Sequence, residues 1–291
     1  MRIATRASAQ ARTQAELVAR AIQHAHPGMA VELVFVETTG DRRLDVPLHT
    51  IGGQGVFVKE VQRAVLDGRA DIAAHSAKDL PSSAPDDDSA ALTIGAFCAR
   101  RSPADALIGS TLADLGPGAT VATGSVRRRA QLRAVRPDLA FVELRGSIQT
   151  RLAKVPAGGA IVMAVAALEI LGLTELVDEV LAVERFVPAV GQGCVAVECL
   201  GDDAATIAVL AAVDHAATRR DVQVERAFLA TLGSGCSLPV GAHVADGVLR
   251  AFLADPERGR HVQRSVSLPP ADAVSVARDL AVAMQYELGD G

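Results

Sequence analysis

The sequence predicts the α/β class: two βα lobes joined by crossing segments, followed by a small C-terminal α+β domain. Three observations carry this. Short apolar runs alternate with stretches of helical period from Arg2 to Val165. A Pro- and Gly-rich stretch, Pro188-Ala-Val-Gly-Gln-Gly193, then reads as a hinge before a further apolar run. From Leu238 onward the pattern changes to three alternating stretches and one closing helix.

The elements follow in order. Arg2–Thr5 is the first strand, and Ser8 is placed to N-cap a helix with apolar stripe Ala11, Ala15, Val18, Ala21 and Ile22. His26-Pro27-Gly28 ends that helix. Val31–Glu37 is a strand, Val56–Asp67 a helix closed by Gly68, and Asp71–Ala74 and Ala91–Phe97 are strands. This βαβ order implies a mostly parallel sheet. A second unit repeats the order: strand Thr120–Thr123, helix Ser125–Val135, strand Ala140–Leu144, helix Ser147–Val155 and strand Ala160–Val165. The run Cys194–Cys199 is a strand placed to return to the first sheet. A helix covers Thr218–Leu232, strands cover 240–245, 248–254 and 261–267, and a last helix starts near Ala271. The expected domains are 1–96 with 192–212, then 97–191, then 213–291.

Hydrophobic residues make up 49% and charged residues 22%, the balance of an ordinary globular protein. With no Trp, one Tyr and seven Phe, aliphatic residues and alanine must fill the core. No basic stretch followed by an apolar one opens the sequence. The longest apolar run, Ala160–Leu168, is too short to span a bilayer and is closed by Glu169. Cysteines at 98, 194, 199 and 236 have neither metal-ligand spacing nor a disulfide framework. The expectation is a reduced, cytoplasmic protein with no bound metal and no membrane contact.

A net charge of −5 argues against a nucleic-acid binder. Yet Arg127, Arg128, Arg129, Arg133, Arg136, Arg145 and Arg151 fall in one short window. Guanidinium forks bind carboxylates bidentately and stay charged at any working pH. Such a set in an acidic chain points to a small polyanionic ligand, while Arg129, Arg133 and Arg136 read as a solvated helix face.

The polar motifs fall at strand ends, where open α/β sheets bind ligands. Thr5-Arg6-Ala7-Ser8, Thr123-Gly-Ser-Val-Arg-Arg128 and Leu144-Arg-Gly-Ser-Ile-Gln-Thr-Arg151 each join a strand to a helix start. Capping alone explains the Ser and Gly of any one of them; it leaves the arginine in all three unexplained. In His75-Ser-Ala-Lys-Asp-Leu-Pro81, Lys78 and Asp79 are either a surface ion pair or cleft groups, with Asp79 available for proton transfer or cation stabilisation. His75 reads as structural. Cys236 lies in the turn sequence Leu232-Gly-Ser-Gly-Cys-Ser-Leu-Pro-Val-Gly241. It either fills a tight corner or offers an accessible nucleophilic thiol.

Six motifs together resemble the porphobilinogen deaminase (hydroxymethylbilane synthase) family. They are Ala4-Thr-Arg-Ala-Ser8, Gly52-Gly-Gln-Gly-Val-Phe-Val-Lys-Glu60, Ala70-Asp-Ile-Ala-Ala-His-Ser-Ala-Lys-Asp-Leu-Pro81, Leu144-Arg-Gly146, Pro188-Ala-Val-Gly-Gln-Gly193 and Gly235-Cys-Ser-Leu-Pro-Val-Gly241. They run in order over nearly the whole chain. The resemblance implies two periplasmic-binding-protein-like lobes and a monomeric transferase of tetrapyrrole and heme biosynthesis. It implies head-to-tail joining of four porphobilinogen molecules, with loss of ammonia, on a dipyrromethane cofactor bound by a thioether to Cys236. By the same resemblance the catalytic residues are Asp79, Lys78 and Arg6. The cofactor is held by Ser8, Lys78, Asp79, Thr123, Ser125, Arg127, Arg128, Arg145 and Gly146, and the substrate by Arg6, Arg145, Arg151 and Gln192.

Some positions depart from the family pattern. Gln54 stands in place of a common lysine, Gly124 of serine, Ser147 of asparagine, and Ala167 and Ile170 of glycine and arginine. A divergent paralogue acting weakly, or on a related pyrrole, would also fit such changes. The rival from another class is a non-catalytic two-lobed binding protein, which accounts for the lobes and arginines but gives Cys236 no role.

Overall fold

The computed structural model describes residues 1–38, 57–82, 90–233 and 239–289. The first lobe contains β1 (Arg2–Arg6), α1 (Ala9–Ala25), β2 (Glu32–Val36), α2 (Lys59–Leu66), β3 (Ile72–Ser76) and β4 (Leu92–Phe97). Ser8 caps α1, its hydroxyl accepting the Ala11 N–H at 3.3 Å. Ala15, Val18 and Ile22 bury one face of that helix together with Gln14, whereas Ala21 is exposed and drops out of the expected stripe. Strand β3 extends two residues past the expected Ala74, so His75 and Ser76 belong to it.

The second lobe contains β5 (Asp105–Ile108), β6 (Thr120–Ala122), α3 (Val126–Val135), β7 (Ala140–Val142), α4 (Ile148–Leu152), β8 (Ala160–Ala164), α5 (Val165–Leu171) and β9 (Glu179–Leu181). All five residues of β8 are buried, as a strand covered on both faces requires. The periodicity did not reveal β5, β9 and α5: each is short, and α5 continues the apolar run of β8 without a break in composition.

The two sheets share one topology. The first runs β2-β1-β3-β10-β4, with β10 (Val195–Leu200) returning from the second lobe; the other runs β7-β6-β8-β5-β9. In each, the first three strands are parallel and the fourth is antiparallel to both its neighbours. The expected mostly parallel sheets are therefore mixed. The reason is connectivity. The antiparallel strand of each lobe enters from the other lobe, β5 through residues 98–104 and β10 through residues 182–194. It starts at the sheet edge where the parallel strands finish. Asp105 lies opposite Ala164, and Val195 opposite Ser76.

Helix α6 (Ala204–Ala211) packs on the first sheet, and α7 (Ala216–Thr231) leads into the small domain. There β11 (Val240–Ala245), β12 (Val248–Asp255) and β13 (Arg260–Ser267) form an antiparallel meander under α8 (Ala273–Gly289). Phe228, Leu249, Leu253, Ala277 and Met284 make its core. Buried Glu225 of α7 ties this domain to both crossing segments. It accepts hydrogen bonds from Arg100 Nη1 at 2.5 Å, the Gly191 N–H at 2.8 Å and the Val244 N–H at 2.9 Å. Burial pushes the Glu225 carboxyl up, but Arg100 and His243 outweigh it and hold the carboxyl below its usual range.

Candidate active site

Strand β3 ends at Ser76 and turns at once into a single 3₁₀ turn, Ala77–Asp79. Buried Ala77 and Leu80 anchor that turn beside Val58, Phe97 and Val222. The Ala77 N–H donates to the Cys194 carbonyl at 2.9 Å. With both ends pinned, Lys78 and Asp79 are left to face the space between the lobes. The crossing segment lies tight against this turn. A Cβ on Gly191, at φ +69°, would stand 3.0 Å from Ala77 Cβ and 3.3 Å from the Lys78 nitrogen. Only glycine suits both the backbone angle and the gap.

In the second lobe β6 leads into the turn Thr123–Ser125, where the Ser125 N–H donates to Thr123 Oγ1 at 3.2 Å and Ser125 caps α3. The next two side chains diverge. Arg127 points inward, donating to Asp105 Oδ2 at 2.7 Å and to the Val187 carbonyl at 2.8 Å. Arg128 donates to Asp105 Oδ1 through Nε at 3.0 Å and Nη2 at 2.7 Å, and it also reaches the cavity. Ser147 caps α4 by accepting the Thr150 N–H at 3.1 Å, and Arg151 Nε donates to the Gly146 carbonyl at 2.9 Å.

These elements enclose a cavity of about 450 Å³. Arg6, Ser8, Lys78 and Asp79 line it from the first lobe; Arg128, Arg145, Gly146 and Arg151 line it from the second. Met163, Ala164, Ala167 and Leu171 form an apolar strip along one wall. Arg6 lies over the Phe57 ring, 4.1 Å from its centroid. Burial, then neighbouring Arg128, pushes the Lys78 ammonium down to about 8, against the opposing pull of Asp79 and Asp105. Burial together with Arg128 and Arg6 lowers Arg151 to about 10, opposed by Asp79. Five cations around one carboxylate make a site for a ligand bearing several negative charges.

Four of the expected site residues do not line this cavity. Thr123, Arg127 and Gln192 are 1%, 5% and 1% exposed and form a buried layer behind it; Ser125 serves as the cap of α3. Cys236 and Gln54 lie outside the described residues. His75 is buried, its Nε2 3.1 Å from Glu198, whose carboxylate also accepts from Gln62 at 2.9 Å. Ala167 is part of the apolar strip, and Ile170 lies beside it without facing the cavity.

The residue that sequence reasoning missed is Asp105. Burial pushes its carboxyl up, yet Arg127 and Arg128 together hold it well below the usual carboxylate range. A signal was present: an aspartate opening the apolar tetrad Asp105-Ala-Leu-Ile108 is a charge at a buried strand start, and such a charge requires a partner.

Comparison with known proteins finds one family over nearly the whole chain. Residues 1–208 match the profile of "Porphobilinogen deaminase, dipyromethane cofactor binding domain", and residues 220–285 match "Porphobilinogen deaminase, C-terminal domain". A porphobilinogen deaminase of Nitratidesulfovibrio vulgaris is 44% identical over 96% of this chain and 91% of its own. One from a Roseiflexus species is 48% identical over 96% and 93%. Among solved structures, a TRAP periplasmic solute binding protein from Desulfovibrio salexigens is 12% identical over 76% of this chain and 73% of its own, with a TM-score of 0.42. Among the described residues no helix is long and apolar enough to cross a membrane.

Proposed function

We propose, from the premise that this chain belongs to the porphobilinogen deaminase family, that the cavity between its lobes is where porphobilinogen units are joined into hydroxymethylbilane. One observation carries the assignment of place: Arg6, Lys78, Arg128, Arg145 and Arg151 surround Asp79 in a protein whose net charge is −5. Every porphobilinogen ring bears an acetate and a propionate, so the growing product gathers carboxylates that only a cationic enclosure will hold.

The donor set suits the dipyrromethane, itself a carboxylate-bearing pair of pyrroles, and its point of attachment is Cys236. When bound, it supplies the pyrrole carbon to which the first unit is joined. Each condensation breaks the C–N bond of an aminomethyl group, releases ammonia and forms a C–C bond, with the displaced ring proton passing to solvent or base. Asp79 stabilises the positive charge that the substrate gains as its amine leaves, and it accepts hydrogen bonds from pyrrole N–H groups. Lys78 and Arg6 hold substrate carboxylates on the first-lobe side; Arg128, Arg145 and Arg151 hold them on the other. Ser8 and the Gly146 turn add neutral contacts, and the apolar strip excludes water from the ring faces. Thr123, Ser125, Arg127 and Gln192 support these groups from behind.

We assign the chain three units, 1–96 with 192–212, 97–191 and 213–291, acting as a cytoplasmic monomer. The test is incubation of purified protein with porphobilinogen, following its consumption, and intact mass under denaturing, reducing conditions. The mass is expected to exceed that of the sequence by two pyrrole units, and Cys236→Ser is expected to lack the increment. An unmodified mass with no consumption would sink the assignment and favour a two-lobed binding protein.

A further inference from the structure

We infer that Asp105 is a positioning residue for the cationic cavity: one buried carboxylate at the head of β5 orients Arg128 of the second lobe and, through Gln192, Lys78 of the first. The inference rests on the reading of this cavity as the deaminase site. Asp105 is 1% exposed and does not line the cavity, so it touches no ligand. Its two oxygens accept four hydrogen bonds. Oδ1 takes Arg128 Nε at 3.0 Å, Arg128 Nη2 at 2.7 Å and Gln192 Nε2 at 2.9 Å, while Oδ2 takes Arg127 Nη2 at 2.7 Å.

The effect on Arg128 is direct. Its Nε and Nη2 edge is fixed by Asp105 and its Nη1 by the Val162 carbonyl at 3.1 Å. The guanidinium is thus held at one angle to the cavity before any ligand arrives, which is where the gain from preorganisation lies.

The effect on Lys78 passes through an amide that has two different ends. A carboxylate only accepts, so the NH₂ end of Gln192 must face Asp105. The same NH₂ also donates to the Pro103 carbonyl at 2.6 Å. The carbonyl end is then turned toward Lys78, whose Nζ donates to Gln192 Oε1 at 3.4 Å. An ammonium only donates, so this orientation alone suits it. Without the Asp105 charge, the amide loses its one charged acceptor and is held only by the Pro103 and Ala104 carbonyls, at 2.6 and 3.4 Å, so its carbonyl is aimed less firmly at the cation. Gln192 lies in one crossing segment and Asp105 directly follows the other, so the relay runs through the place where the lobes are joined.

The charged groups acting on Lys78 are Asp79 beside it and Asp105, Arg127 and Arg128 from the second lobe. Asp105 favours the ammonium and both arginines oppose it. Removing the carboxylate charge must therefore lower the proton affinity of Lys78.

Two variants test this, Asp105→Asn and Gln192→Met. The second leaves both arginine pairs intact and decides the matter if the first does not fold. The chain has only three lysines, Lys59, Lys78 and Lys154. Competitive acetylation with acetic anhydride across pH, read by peptide mass spectrometry, follows Lys78 with the other two as references and needs no turnover. Both variants are expected to move the Lys78 midpoint to lower pH by about one unit. The alkaline limb of kcat/KM for porphobilinogen should move with it, and KM should rise more than kcat falls. A lowered melting temperature with the Lys78 midpoint and the alkaline limb unchanged would overturn the proposal and leave Asp105 a purely structural ion-pair partner. Native protein that consumes no porphobilinogen would instead sink the functional reading, while the acetylation profile would still decide for or against Asp105.

Discussion

The two lobes have the same strand order and the same antiparallel fourth strand, yet they bring different charge to the cavity they share. In the first lobe a 3₁₀ turn presents Lys78 and Asp79, a cation and an anion side by side. The second lobe presents Arg128, Arg145 and Arg151, and the carboxylate of Asp105 is buried behind them and taken up by Arg127 and Arg128. On the proposed function, one topology therefore provides a reactive edge in one copy and a holding edge in the other. The fold sets where the strand ends meet; the residues at those ends set the chemistry.

The largest effect should come from the reactive edge. Asp79→Ala is expected to lower kcat by on the order of a thousandfold or more, since no other carboxylate faces the cavity among its described lining residues. Asp79 sits at the end of a turn anchored by Ala77 and Leu80, so circular dichroism and melting temperature should stay close to those of the native protein. Near-normal turnover in this variant would erase the distinction between the two edges.

The holding edge should divide into two classes when its arginines are removed. Arg128→Ala and Arg145→Ala are expected to weaken porphobilinogen binding by about 2–5 kcal/mol, the cost of losing a charge-assisted pair in an enclosed site. Arg127→Ala should act chiefly on stability, by about 3–5 kcal/mol, because it breaks a buried pair with Asp105. Binding assays and denaturant melts on the three variants separate the classes. If Arg127→Ala weakened binding without a loss of stability, the buried guanidinium would have to reach the ligand after all.

Much of this was legible in the sequence. Helix starts at Ser8, Ser125 and Ser147 and the three alternating strands of the small domain were marked by residue types that leave little choice of backbone. The return of β10 to the first sheet followed from the hinge sequence before it. What was not legible is which arginines are consumed internally. Arg127 and Arg128 are neighbours with the same chemistry, and only the position of Asp105, in a strand too short to show a period, sends one inward and leaves the other shared with the cavity. The same limit applied to Arg136, expected to be solvated. It pairs with Asp138 through two hydrogen bonds and donates to the Leu112 and Leu115 carbonyls.

A change of pH should weaken the cation of the reactive edge before those of the holding edge. Burial pushes the Lys78 ammonium down to about 8, and the Arg151 guanidinium down to only about 10. KM is therefore expected to rise as pH passes 8. Stability should move the opposite way. A lysine depressed in the folded state binds fewer protons there than in the unfolded chain between about 8 and 10.5, so its contribution to stability rises with pH over that window. Parallel KM and melting measurements from pH 7 to 9.5 check both signs. If KM rose only where the protein began to melt, Lys78 would not be the group that titrates.

The smallest effect should come from an arginine of the same helix that faces neither the cavity nor Asp105. Arg133 is exposed on α3, its guanidinium 5.4 Å from the Phe141 ring centroid. An exposed cation over an aromatic ring contributes about 0.5–1 kcal/mol. Arg133→Ala should therefore cost under about 1 kcal/mol of stability and leave kcat and KM within twofold of the native values. The variant controls for the loss of one positive charge from a protein of net −5. If Arg133→Ala weakened binding as much as Arg145→Ala, long-range attraction by the whole basic window, rather than contact at the cavity, would be what gathers the carboxylates, and raising the salt concentration would then abolish the difference between all of these variants and the native protein.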